Sequence, residues 1–288
     1  MSSIIKHDHL PEPSELKKCL DILVAFDIIM EEDSRLRRYN KALDPEGQIN
    51  IYCVFHAGDS MFIIFSEEGC IIKGFDHESC FSPHARKDGF YVWPGIYDEA
   101  PQSLLCLFDK PMFRDDEKED VTFCIWREAL DSEWRKGSFD SPKDSDTDPG
   151  WRTENFDDDG FQYLMLFLKP SAEKLIDWAK DYYDDFYQAY FREKLPLEAI
   201  KKIYAGEQID EKIINEINPK RDARLALKEI TNPVKRKGRD DACRLRMMVN
   251  ISGKCGDQRP VGTAKDCLKF AKAKRVLNER SRNGCINC

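Results

Sequence analysis

Between Ile49 and Phe75 three apolar runs follow one another with almost nothing between them. INIYCVFH (Ile49–His56), MFIIF (Met61–Phe65) and CIIKGF (Cys70–Phe75) are separated only by AGDS and SEEG. β-Branched and aromatic residues bounded by Gly, Asp and Ser mark strands. Four-residue connections are too short to carry a chain across to a parallel neighbour. The runs therefore predict an antiparallel meander, and the rest of the chain must be built around it. VTFCIWR (Val121–Arg127) and FQYLMLFL (Phe161–Leu168) predict two more strands.

Helical spacing occurs on both sides of this block. Ser14 is placed to cap a helix whose residues Leu16, Cys19, Leu20, Leu23, Phe26 and Met30 share a stripe, continuing toward RLRRYNKAL (Arg35–Leu43) before Pro45-Glu46-Gly47 turns the chain. A short helix is expected around Gln102 to Phe108. Ser171 precedes another, with Leu175, Trp178, Ala179, Tyr182, Phe186 and Tyr190 on one face. That aromatic stripe has the spacing of core packing rather than of a ligand platform. LPLEAIKKIYAG and DEKIINEIN predict two further helices, the second capped by Asp210, with Gly206 and Pro219 marking their ends. The fold class is α+β: about five mostly antiparallel strands with helices on one face.

Charge divides the chain. From Thr231 to Cys288 there are 15 Lys and Arg against 5 Asp and Glu, whereas residues 1–230 hold 30 against 48. We read 1–230 as an acidic domain and 231–288 as a basic, partly helical tail. An acidic body repels nucleic acid and anionic lipid and attracts basic partners. The start, MSSIIKHDHLPEPSE, lacks the apolar run of a secretory signal, and LDILVAFDIIM (Leu20–Met30) is too short to cross a bilayer. Cysteines within apolar runs such as IYCVF and TFCIW behave as small hydrophobes in a reducing compartment, which predicts a cytoplasmic location.

The densest polar stretch is GFDHESCFSPH, Gly74 to His84. His77, Glu78 and His84 offer three ligands for zinc or iron, with His56 or Asp76 as a fourth. On an extended strand, however, His77 and Glu78 point apart. The competing reading is a turn in which Asp76, Ser79 and Ser82 bond backbone amides. Cys80 beside His77 and His84 raises a nucleophile–base pair, but catalytic bases usually come from elsewhere in the fold. The segment Asp140–Gly160 is acidic, yet its spacing is not that of a calcium loop, and a solvated loop is expected.

DGFYVWPGIYDEAP follows directly and carries Tyr91, Trp93, Tyr97, Asp98 and Glu99. Aromatics on a long loop beside a sheet serve as interface anchors or as a lid over the core. The tail contains Cys255, Cys267, Cys285 and Cys288, four thiolates for structural zinc but with only one C-x-x-C. AKDCLKFAKAKRVLNERSR should form a basic helix able to contact phosphates, and the final CINC fits a prenylation box poorly. Glycine-rich phosphate loops, the G-x-S-x-G elbow and H-E-x-x-H are absent from the sequence, so the usual parts of nucleotide-dependent and common hydrolytic chemistry are missing.

At GFDHES, WPGIYDEAP, TFCIWR and LPLEAIKKIY…EINP the chain resembles uncharacterised bacterial cytosolic α+β proteins, over roughly Ile49 to Pro219. Its acidic α+β architecture is similar to that of immunity proteins, and the resemblance implies neutralisation of a toxin by binding. The leading expectation is a non-enzymatic protein-binding module that engages a basic partner through Tyr91, Trp93, Tyr97, Asp98 and Glu99. The alternatives are a metal-dependent enzyme using the 74–84 loop and nucleic-acid association through the tail.

Overall fold

A computed structural model describes residues 3–5, 10–56, 58–109, 119–140, 142–143, 146–147, 159–183 and 196–235. It contains one mixed sheet in the order β1-β7-β6-β5-β4-β3-β2-β8. The strands are β1 (Ser3–Ile5), β2 (Tyr39–Leu43), β3 (Asn50–His56), β4 (Asp59–Ser66), β5 (Gly69–Phe75), β6 (Phe123–Glu128), β7 (Trp134–Lys136) and the two-residue β8 (Val234–Lys235). Six of the seven strand pairs are antiparallel, and only β8 joins in parallel, beside β2.

The meander lies at the centre as expected, but the sheet has more strands than the five expected. Two were misassigned. Tyr39–Leu43 is a strand, not the end of a helix, because α1 (Pro13–Met30) stops before the polar turn that follows it. Phe161–Met165 (α3) is a helix rather than a strand. Asp159 accepts a bond from the Phe161 amide, and buried Phe161 and Phe167 turn inward with Met165 and Leu168 against the same core. β7 is too short to leave a period in the sequence; it is fixed by Trp134, 1 % exposed, whose indole donates to the Pro11 carbonyl.

Both faces of the sheet are covered. Alternate residues Tyr52, Val54, Met61, Ile63, Ile72 and Ile125 meet α1 and α4 (Ala172–Tyr183), together with α5 (Leu197–Tyr204), α6 (Glu211–Ile217) and α7 (Ala223–Thr231). Ile51, Cys53, Phe62, Ile64, Ile71 and Trp126 face the other way, onto residues 92–108. The large helices thus share one face, as expected. The second face is closed by the loop with the short α2 (Gln102–Leu105) and a 3-10 turn, Cys106–Asp109.

α1 is the spine. It begins at Pro13 after Glu12, so Ser14 sits inside the first turn rather than at the cap, and a proline there lacks only an N–H that would be unbonded anyway. From Ile22 to Met30 every residue is buried. A buried helix end must have its last carbonyls satisfied. Here Arg221 donates to Ile28 O, Asn218 to Ile29 O, and Arg37 to Glu31 O and Glu32 O, while Arg37 also pairs with Glu229 at 2.5 Å. The caps expected further on are present: Asp210 accepts from the Ile213 amide at 2.8 Å, and Gly206 ends α5 at φ +87°.

The described fold runs on through Lys235. The five tail cysteines, the basic helix and the CINC terminus lie outside the described residues, as do Phe186, Tyr190 and most of the acidic segment. No helix among the described residues is long and apolar enough to cross a membrane.

Candidate functional site

Two polar clusters and one groove stand out. Residues 76–84 leave β5 and form the turn foreseen from their side chains. Asp76 accepts from the Glu78 amide, Ser79 from the Phe81 amide and Ser82 from the His84 amide. Cys80 is 1 % exposed, a burial that keeps a thiol inert.

The two histidines of this loop have different partners. His77 Nδ1 lies 2.6 Å from Asp59 Oδ1, and His84 Nε2 lies 3.2 Å from Asp120. Burial alone pushes the His77 imidazole down, but the Asp59 bond and charge, with Glu78 and Asp76 behind, outweigh it and leave the pKa above the ordinary value. Ligand atoms of Asp59, Asp76 and His77 lie within 4.8 Å of one another, a grouping that does not include Glu78 or His84. His56 ends β3 opposite Asp59.

Beyond His84 the loop becomes an aromatic platform. The Arg86 guanidinium carbon lies 3.7 Å from the Tyr91 ring centroid and 4.4 Å from that of Trp93. Asp88 grips it through Nε at 2.9 Å and Nη2 at 2.7 Å, and the Tyr91 hydroxyl bonds both Arg86 and Asp88. Arg86 and Tyr91 together hold the Asp88 carboxyl down at about 2. Trp93 meets Phe81 edge-on, Phe81 meets Phe139 at 4.8 Å, and His84 packs on Phe90 at 4.7 Å. Cation–π and aromatic contacts of this kind remove the rotamer freedom an exposed aromatic would otherwise lose on binding.

The five residues expected at an interface divide by depth. Tyr91, Asp98 and Glu99 are exposed, whereas Trp93 and Tyr97 are half-buried against the second face of the sheet. Burial drives the Tyr97 hydroxyl well above its ordinary range. Glu99 is the one non-glycine among the described residues at positive φ, +63°. Such a conformation costs about 1–2 kcal/mol and is often retained where a side chain has a use. Arg86 and Asp88, absent from the expected set, hold the platform together. The signal for them was an Arg and an Asp within five residues of two aromatics.

The groove, about 770 Å³, lies between α1, β2, α5 and α7, with Ile22, Ala25, Ile28 and Ile230 among its walls. Its Lys41 and Arg37 are engaged by Asp21 and Glu229. Comparison with protein-family models, curated proteins and solved structures finds no match to this chain.

Proposed function

We propose that the protein is a non-enzymatic, immunity-like binding module that engages a basic protein partner through the aromatic and acidic loop 84–99. One observation carries the reading: Phe90 and Tyr91 are 48 % and 41 % exposed on a loop held in place by Arg86. Large apolar side chains fixed at a surface are what an interface core needs, and Tyr, Trp and Arg dominate such cores. Asp88, Asp98 and Glu99 are exposed in the same segment, on a body whose acids outnumber its bases by 48 to 30. That charge would steer a basic protein toward it. The six described cysteines are free thiols, four of them buried, in keeping with a cytoplasmic setting.

Charge reversal tests the electrostatic half of the reading. A partner captured from the host lysate on the immobilised full chain would be identified by mass spectrometry and its association followed by stopped flow. Asp98→Lys with Glu99→Lys should slow association at low salt by about tenfold, with the difference shrinking at high salt. An unchanged association rate at low salt would remove these acids from the interface.

A further inference from the structure

We propose that Asp59, Asp76 and His77 form a binding site for a single divalent transition-metal ion, with the other coordination positions left to water. The site is independent of the aromatic platform and would stand if that surface bound nothing. β4 and β5 pair with Ser60 opposite Phe75, so Asp59, at the start of β4, and Asp76, just past the end of β5, come together at one end of the sheet. His77 is the next residue, and ligand atoms from all three lie within 4.8 Å.

Hydrogen bonding by itself accounts for only half of Asp59. Its side chain is 2 % exposed, and its Oδ1 takes both the His77 amide at 3.0 Å and His77 Nδ1 at 2.6 Å. Among the described residues nothing bonds Oδ2. Asp76, a second buried carboxylate, lies beside it, and two carboxylates held together largely out of water are costly. Had Asp59 served only to brace the turn, a buried Asn would do so without the charge. A cation between the carboxylates satisfies the spare oxygen and offsets both charges.

The surroundings are shaped to match. A Cβ on Gly160 would lie 2.8 Å from Asp76 Oδ2, and one on Gly58 would lie 3.2 Å from His77 Nδ1. Both glycines hold φ above +70°, so backbone rather than side chain closes around the cluster. Two carboxylates and an imidazole are donors that suit Mn²⁺, Fe²⁺ or Zn²⁺. Ligands at about 2.0–2.2 Å from one ion sit about 3 Å apart, so the three groups need to close by only about 1–2 Å. The His77 side chain is 34 % exposed. Coordination through Nδ1 breaks its bond to Asp59 and releases any proton there to solvent, while the metal takes the freed lone pair.

The probe is Mn²⁺, because the thiolates of Cys255, Cys267, Cys285 and Cys288 favour softer ions. Chelator-treated full-length protein would be titrated with MnCl₂, following loss of the free-ion signal by electron paramagnetic resonance. One ion per chain at this site is expected. Asp59→Asn and His77→Ala should each weaken that binding about tenfold or more, since losing even an orienting partner of a ligand costs about 10–100-fold. Glu78→Gln, outside the cluster, should leave it intact. Circular dichroism would establish that each variant is folded. If Asp59→Asn fails to fold, Asp76→Asn, whose oxygen still accepts from the Glu78 amide, carries the same expectation. Absence of Mn²⁺ binding at millimolar concentration, or equal binding by the folded Asn variants, would overturn the site.

Discussion

Replacing Asp27 with Ala is expected to destabilise the protein by about 3–5 kcal/mol, the cost of leaving two buried donors unpaired and opening a small cavity. Asp27 is 0 % exposed on α1. Its carboxylate accepts the Tyr39 amide at 2.8 Å and the Tyr183 hydroxyl at 2.6 Å, so one side chain ties α1 to β2 and α4. Around it Trp178 meets Tyr39 and Tyr183 edge-on, and Arg38 lies 4.5 Å from the Tyr182 ring and 4.7 Å from that of Phe167. Urea unfolding of the Ala variant would measure the loss.

The same residue gives stability a pH signature. Burial raises the Asp27 carboxyl from 3.8 to about 6, with the bonds from Tyr183 and Tyr39 and the charge of Arg38 holding it from going higher. The folded state therefore keeps a proton there that the unfolded state has already lost. The stabilisation is complete below about pH 4 and lost as pH rises through about 6, a change of about 3 kcal/mol. Asp27→Asn cannot titrate. The stability of the natural protein relative to this variant should fall between pH 4 and 6 and then stay level. A flat difference over that window would mean that Asp27 is ionised throughout.

Gly137→Ala is expected to cost about 3 kcal/mol and to detach the aromatic platform from the sheet, an overpacking effect at the upper end of its usual range. Gly137 follows β7, and a Cβ there would lie 2.3 Å from Ile96 O and 2.5 Å from Gly95 O. Both atoms are backbone, so no side chain can swing away. Ile96, 0 % exposed, would be levered out of the second-face core, taking the chain around Trp93 with it. Hydrogen exchange should accelerate in residues 92–97 while α1 stays protected. Gly206→Ala supplies the contrast. Nothing lies within 4 Å of a Cβ there, and only its φ of +87° opposes the change, for about 1–2 kcal/mol. Equal losses for the two variants would show that the methyl at 137 is accommodated.

The meander was legible because its strands are buried on both faces. MFIIF is a continuous apolar run rather than an alternating one, and Phe62 and Ile64 indeed face one core while Met61, Ile63 and Phe65 face the other. What the sequence hid was short or ambiguous. Tyr39–Leu43 buries only Tyr39 and Ala42, a spacing that suits a helix as well as a strand, and its pairing with β3 decides the matter. Phe161–Leu168 is apolar without a period, and such runs are strand or helix according to their tertiary partners. Tyr91 and Trp93 were readable from their clustering. Asp59 was missed for want of a single step: it lies 18 residues before His77, but the hairpin register already places it opposite Asp76.

The central claim is that the loop around Phe90 and Tyr91 meets a basic protein, and site-specific photocrosslinking tests it most directly. A photoreactive phenylalanine analogue would replace Phe90 in one sample and Leu130 in another. Leu130 is 100 % exposed in the connection between β6 and β7, and serves as an apolar site outside the platform. Irradiation in host lysate should join the position-90 probe to one and the same basic protein in repeated trials, and the position-130 probe to none in common. Crosslinks to that protein from both positions alike, or from position 130 alone, would contradict the assignment of this loop as the binding surface.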